Sequence, residues 1–241
     1  MSFDAAALRR TLGRPVRVVD VCDSTNRVAR EAASRWPGPP SPGPLIVAEQ
    51  QTAGRGRQGR TWDAAPGQNL LWSMVLAPRV PPDRAARCVM VWAAVMADAL
   101  DLRVKWPNDL LAADGRKVAG ILAELELRPH PDGARIHSIV LGVGVNVNQV
   151  EFPDLPDATS LARIRGAPLD RAAVLERLVR AIEAAPLRGS EGLDLWRSRS
   201  ATLGRRVEVG GVRGIAEDIR EDGALIVDGH AVLAGDVSLL G

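Results

Sequence analysis

The sequence has no long hydrophobic run. In 241 residues no apolar stretch approaches the roughly 18 needed for a membrane span, which excludes a helical membrane protein and any membrane partner of that kind. The opening MSFDAAALRRTLG carries an acid early and lacks the apolar core of a secretory signal, so a cytoplasmic protein is expected. Cysteine is scarce. Cys22 and Cys88 stand singly, without metal-ligand spacing, and are expected to be reduced, packed thiols. His130 and His137 are seven apart with no acidic or cysteine partner in register, which argues against a histidine-based metal site. Net charge is nearly absent as well: 31 basic against 29 acidic residues leave +2, too little for the whole chain to attract nucleic acid. The last scarcity is lysine. Lys105 and Lys117 are the only two among the 31 basic residues, so 29 are arginine. Two lysines within thirteen positions of so arginine-rich a chain mark places where a compact ammonium is required and a planar fork is not.

What is present suits an ordinary globular chain with enough length for one large domain and one small. PVRVVDV (15–21) alternates as a strand, and DSTNRVAREAASRW follows as a helix whose start holds the capping types Asp23, Ser24 and Thr25. After the stiff linker GPPSPGP come the strands PLIVAEQ and NLLWSMVL, then a long apolar helix between Pro82 and Leu100. RVKW is a short strand stopped by Pro107, AADGR (112–116) is a tight reversal, and KVAGILAELEL and IHSIVLGVGVNV are strands. Gly120, Gly142 and Gly144 leave their backbones open to close approach. Helices around RAAVLERLVRAIEAA and GLDLWRSRS follow, and Trp72, Trp92 and Trp196 are expected in the core. Tight reversals among alternating strands and helices predict an α+β fold with a mixed sheet. From Leu203 short strands separated by Gly and Asp turns predict a small all-β barrel. The domains are drawn at 1–198 and 199–241.

The stretch GRGRQGR (54–60) contains G-x-G-x-x-G, the fingerprint of a dinucleotide-binding turn. A strand precedes it, but Pro66 and Gly67 leave no room for the required helix, and no acid lies between Asp63 and Asp83 to take a ribose. Three arginines, Arg55, Arg57 and Arg60, suit instead a loop that meets anions with guanidinium forks. Seven residues with three glycines and three like charges have little reason to order alone.

Five segments in this order, DSTN (23–26), AEQQTAGRGRQGRTW (48–62), KWPNDLL (105–111), RKVAGILAE (116–124) and GVGVNVN (142–148), resemble the catalytic domain of the biotin protein ligases. The resemblance runs from about Val16 to Asn148 by motif. It extends to the end by architecture, since that family closes in an SH3-like barrel on a sequence like GDVSL. It implies a fold related to class II aminoacyl-tRNA synthetases, and a two-step reaction in which biotin and MgATP give biotinyl-5′-AMP and a carrier lysine then takes the biotinyl group. Lys117, Arg57 and Asp109 are then the catalytic candidates. Ser24, Thr25, Asn26, Gln51, Gly54, Arg55, Gly56, Arg57, Lys117, Gly120 and Gly144 are the candidates for biotin. Arg55, Arg57, Arg60, Trp62, Asn108 and Asn146 are those for ATP and the adenylate, with Trp62 stacking on adenine and Asn146 at its edge. Asp109 is assigned to Mg²⁺ or to the incoming lysine. The implied partner is a biotin carboxyl carrier protein or domain. Some relatives carry an N-terminal DNA-binding module; here about fifteen residues precede the first strand, so a monofunctional ligase without repressor activity or DNA partner is expected. A lipoate or octanoate enzyme of the same fold class would lack the pairing of GRGRQGR with KWPND. A nucleic-acid binder using the basic loop with Trp62 and Trp106 is opposed by the near-zero charge.

Overall fold

The structure, a computed structural model, describes residues 2–240. Its helices are α1 (Ala5–Leu12), α2 (Thr25–Ala33), α3 (Ala85–Leu100), α4 (Leu161–Arg165), α5 (Arg171–Glu183) and α6 (Glu191–Arg199). Its strands are β1 (Val16–Cys22), β2 (Leu45–Gln51), β3 (Leu70–Leu76), β4 (Arg103–Lys105), β5 (Asp109–Leu111), β6 (Lys117–His130), β7 (Gly133–Val145), β8 (Arg206–Val209), β9 (Val212–Ile219), β10 (Leu225–Val227), β11 (His230–Val232) and β12 (Ser238–Leu239). The chain packs as two compact units. One holds the residues up to Pro82 with Lys117–Arg180; the other holds Asp83–Arg116 and the residues from Ala181 onward.

In the first unit the strands run β1-β2-β3-β7-β6 across the sheet. β1 and β2 are parallel and the remaining pairs antiparallel, so the sheet is mixed, as expected. Register places Ile46, Ser73, Gly142 and Leu122 on one rung, and Ala48, Leu71, Gly144 and Gly120 on the rung two residues away. Because side chains alternate along strands, both rungs present the same face. α2 covers that face. Val28, Ala29 and Ala33, spaced along one side of the helix, pack with Ile46, Val75 and Val140. β3 is apolar apart from Ser73, its strand buried on both sides, with Trp72 and Met74 fully enclosed. α1 is an element the sequence did not suggest. Its eight residues begin at Asp4, whose carboxylate accepts from Ala6 N and Ala7 N, and end at Gly13 in the left-handed region.

In the second unit α3 opens after a short 3-10 turn at Pro82–Arg84 and is buried along most of its length. α6 packs on it where Gly192 admits Val91; a Cβ on that glycine would fall 2.7 Å from the valine methyls. The AADGR reversal is present, with Ala112 N–H donating to Arg116 O at 2.9 Å. Trp106 is 2% exposed, its indole N–H donating to Gly223 O at 3.0 Å and its backbone N–H to Thr202 Oγ1 at 2.9 Å. So enclosed a ring cannot stack on a nucleic-acid base. β11-β10-β9-β8-β12 form an antiparallel sheet. The barrel expected here is therefore an SH3-like strand set that stays an open sheet: among the described residues no pair joins its outer strands β11 and β12.

Candidate active site

The first unit gathers most of the residues singled out from the sequence. Where β1 gives way to α2, Ser24 takes the N-cap position, yet its side chain makes no capping hydrogen bond. The first helical N–H, that of Thr25, goes instead to Gln51 Oε1 at 2.6 Å, and Ser24 N–H goes to Asp23 Oδ1 at 2.7 Å. Capping by other residues leaves the Ser24 hydroxyl unspent within the described residues. Thr25 Oγ1 lies 3.0 Å from the same Gln51 oxygen. Asn26 reaches over the sheet from the helix. Its Nδ2 donates to Leu122 O at 3.2 Å and its Oδ1 accepts from Ser73 Oγ at 2.7 Å, so its amide is engaged at both ends. Gly142 makes that reach possible, because a Cβ there would fall 2.0 Å from Asn26 Oδ1. Ser24, Thr25 and Asn26 are all buried, at 6%, 3% and 3% exposed, and polar groups so placed need partners.

The arginine loop has more structure than its composition suggested. Trp62 N–H donates to Gly54 O at 2.9 Å and Gly56 N–H to Arg60 O at 2.7 Å, and Arg55 bridges Thr61 across the two arms. Residues 54–62 thus close as a small hairpin, with a kinked turn over Arg57–Gly59 at its tip, where Gln58 (φ 54°) and Gly59 (φ 74°) both lie in the left-handed region. Gly54 must be glycine for this closure, since a Cβ would fall 2.3 Å from Trp62 O. The hairpin is tied to the sheet by charge. Arg55 Nη2 lies 2.7 Å from Glu124 Oε1, and Arg30 of α2 lies 3.1 Å from Glu124 Oε2. Glu124 is the last residue of RKVAGILAE, four positions beyond Gly120, the last residue there given a role from the sequence. A carboxylate ending a motif otherwise read for its lysine and glycine was the available signal.

At the base of the hairpin the Trp62 ring lies on the second rung. A Cβ on Gly144 would fall 2.4 Å from Trp62 Cε2, and one on Gly120 would fall 2.9 Å from its Cζ3. The close approach expected at these glycines is thus made by the protein's own indole. Lys117 Nζ stands 5.5 Å from the centroid of that ring, within cation–π range. The indole Nε1 is buried with no hydrogen-bond partner.

Behind Lys117 the chain returns. Lys117 N–H donates to Asp157 O at 2.7 Å, Thr159 N–H donates to Lys117 O at 2.8 Å, and Asn146 Nδ2 donates to Thr159 O at 3.1 Å. Asn146 is 5% exposed and its own N–H is taken by Val118 O. Asn69, unassigned from the sequence, accepts from Val147 N and donates to Gln149 Oε1, fixing the chain just beyond Asn146. Arg57 and Arg60 stand on the tip and returning arm of the hairpin. Asn108 and Asp109 are in the second unit, Asp109 half-buried at the start of β5 opposite Lys105. Among the described residues no three His, Cys, Asp or Glu side chains gather as a metal cage.

Comparisons with known proteins agree with one another. The model of the biotin/lipoate A/B protein ligase family matches residues 18–146. The biotin--[acetyl-CoA-carboxylase] ligase of Mycobacterium tuberculosis is 37% identical over 93% of this chain and 88% of its own length, and that of Paracoccus denitrificans is 34% identical over 87% and 92%. The bifunctional ligase/repressor BirA of Bacillus spizizenii is 35% identical, and this chain spans about half of it, 54%. Among solved structures, a biotin protein ligase from Aquifex aeolicus in complex with biotin and ATP is similar at a TM-score of 0.75 and 28% identity, covering 94% of this chain and 98% of that one. This chain belongs to the biotin/lipoate A/B protein ligase family.

Proposed function

We propose that the protein activates biotin with ATP and passes the biotinyl group to a lysine of a biotin carboxyl carrier protein or domain. The observation that carries this is the convergence, on two adjacent rungs of one sheet, of a neutral hydrogen-bonding cluster and a cationic one. Ser24, Thr25 and Gln51 form the first, suited to a urea whose N–H and C=O groups must be matched when buried. Lys117 and the arginine hairpin form the second, suited to a carboxylate meeting a phosphate. Relatives named as biotin ligases along nearly the whole chain, and the pairing of GRGRQGR with KWPND, favour biotin over lipoate.

The chemistry follows from charge. A carboxylate oxygen attacks the α-phosphorus of ATP, the bond to the bridging oxygen breaks, and pyrophosphate leaves; the two anions repel unless cations neutralise them. Lys117 supplies a point charge at the site of attack, and Arg57 and Arg60 supply charge along the adenylate. In the second step the carrier amine attacks the acyl carbon, AMP leaves, and the amine sheds a proton. Trp62 offers adenine a face and Asn146 an edge. Mg²⁺ would arrive on the ATP phosphates, keep several waters and need only one or two carboxylates, and Asp109 is the residue proposed toward it. The test is incubation with biotin, ATP and a biotin carboxyl carrier domain, followed by the mass of the carrier. The expected result is one biotinyl group added per carrier, dependent on ATP; no mass gain with a competent carrier sinks the reading.

A further inference from the structure

Ser73 carries no role so far, yet it stands at the centre of the neutral cluster. It is fully buried, and its Oγ lies 2.7 Å from both Thr25 Oγ1 and Asn26 Oδ1. A hydroxyl has one proton and cannot donate across both contacts. Asn26 decides where it goes. The Asn26 Nδ2 donates to Leu122 O, which orients the amide and leaves Oδ1 able only to accept. The Ser73 proton therefore goes to Asn26. The short contact with Thr25 then requires the Thr25 proton. Gln51 Oε1 is the more distant claimant at 3.0 Å and already accepts Thr25 N–H at 2.6 Å, so the Thr25 hydroxyl turns toward Ser73. The result is a one-way chain from Thr25 to Ser73 to Asn26 to the Leu122 carbonyl. Gly142, opposite Ser73 across the β3–β7 pair, supplies the gap in which the Asn26 amide fits.

We propose that Ser73 is a positioning residue that sets the polarity of biotin recognition. With its only proton spent inward, Thr25 Oγ1 meets an incoming ligand as an acceptor, and so selects an N–H of the ureido ring. Ser73 does not touch the ligand in this scheme and acts through Thr25 and Asn26. The inference rests on the proposed biotin-activating function.

Ser73→Ala removes the middle of the chain, so the Thr25 proton is no longer drawn inward and its hydroxyl can present a donor where the ligand needs an acceptor. The KM for biotin in pyrophosphate release is expected to rise about 10- to 100-fold, the range for one buried hydrogen bond left unmade. The KM for ATP and kcat at saturating biotin should stay within about twofold, since only ground-state binding of one substrate is touched. Ser73→Cys keeps a weak donor in the same place and should fall between the two; it also serves if the alanine variant does not fold. An unchanged biotin KM in a folded variant overturns the inference, as does a matching rise in the KM for ATP, which would mark general disruption. Wild-type protein that neither binds biotin in calorimetry nor releases pyrophosphate overturns the functional reading and this inference together. An active wild type with an unmoved Ser73→Ala overturns this inference alone.

Discussion

Lys117 is held by its backbone, with its ammonium on a ring face. Bonds to Asp157 and from Thr159 fix its main chain, while its ammonium rests over the Trp62 ring. On the proposed function, a cation that meets a carboxylate as it becomes a mixed anhydride gains from being placed in advance. Lys117→Gln is expected to lower biotin-dependent pyrophosphate release by about two to three orders of magnitude, the range for one preorganised donor. Lys117→Arg should be impaired too, because a planar fork is wider than the compact ammonium that rests over the Trp62 ring. Full activity in the arginine variant would mean that charge alone suffices. Arg57, at the hairpin tip, is expected to act later. Arg57→Gly should still form biotinyl-5′-AMP but lose it about 10 to 100 times faster, the equivalent of one charge-assisted hydrogen bond. Labelling of serum albumin beside the dissociation rate of preformed adenylate measures this, and unchanged retention would remove Arg57 from the role. The cysteines have no part in it. Burial pushes the Cys88 thiol up to about 11, so at pH 8 roughly one thiol in a thousand is thiolate. Iodoacetamide at pH 8 should modify the half-buried Cys22 well before Cys88 in the native protein; equal rates would mean that α3 opens readily.

The hairpin of residues 54–62 shows what a sequence exposes at the level of an element and what it hides. Glycines and arginines at close spacing announce a loop for anions, and the ladder of the loop is local. Its anchor is not: Arg55 meets Glu124 from 69 positions away, a pairing fixed by the register of β6 against β7, which composition does not reveal. Ser73 was hidden for a related reason, since a lone serine in the apolar run LLWSMVL acquires meaning only when Asn26 is seen above it. The strands themselves were legible because β-branched runs bounded by Gly, Pro and Asp are strong signals. α1 was not, being eight residues with only Leu8 and Leu12 buried. The anchor yields a prediction at the same scale. Glu124→Gln removes the charge shared by Arg55 and Arg30, and without ligand trypsin should cut at Arg55, Arg57 or Arg60 faster than in wild type. Biotin with ATP should slow cleavage of the wild type. Identical digestion of variant and wild type would show that the local ladder holds the hairpin unaided.

At the scale of the molecule the packing follows long-range contacts that the sequence marks only faintly. The change of texture near Leu203 was plain, but α3 joins α6 across a gap in sequence because Gly192 and Val91 fit one another. Closure of the last strands into a barrel was an expectation from their number and turns; whether a sheet closes depends on its first and last strands meeting, which periodicity does not encode. The balance of charge predicts weak, nonspecific contact with nucleic acid. A titration over a salt series should give no steep negative slope, and a slope of several units would reopen that possibility. The scarcity of lysine has a different outcome. On the proposed function the protein is exposed to its own acylating intermediate, and this chain offers that intermediate only two side-chain amines, Lys105 and Lys117. Lys117 is half-buried beneath an indole, so its surface is close to mute toward amine-directed chemistry. A bystander-labelling variant would spare itself while marking its neighbours, and a mild acetylating reagent, mapped on two peptides, would report how far Trp62 shields the reactive ammonium.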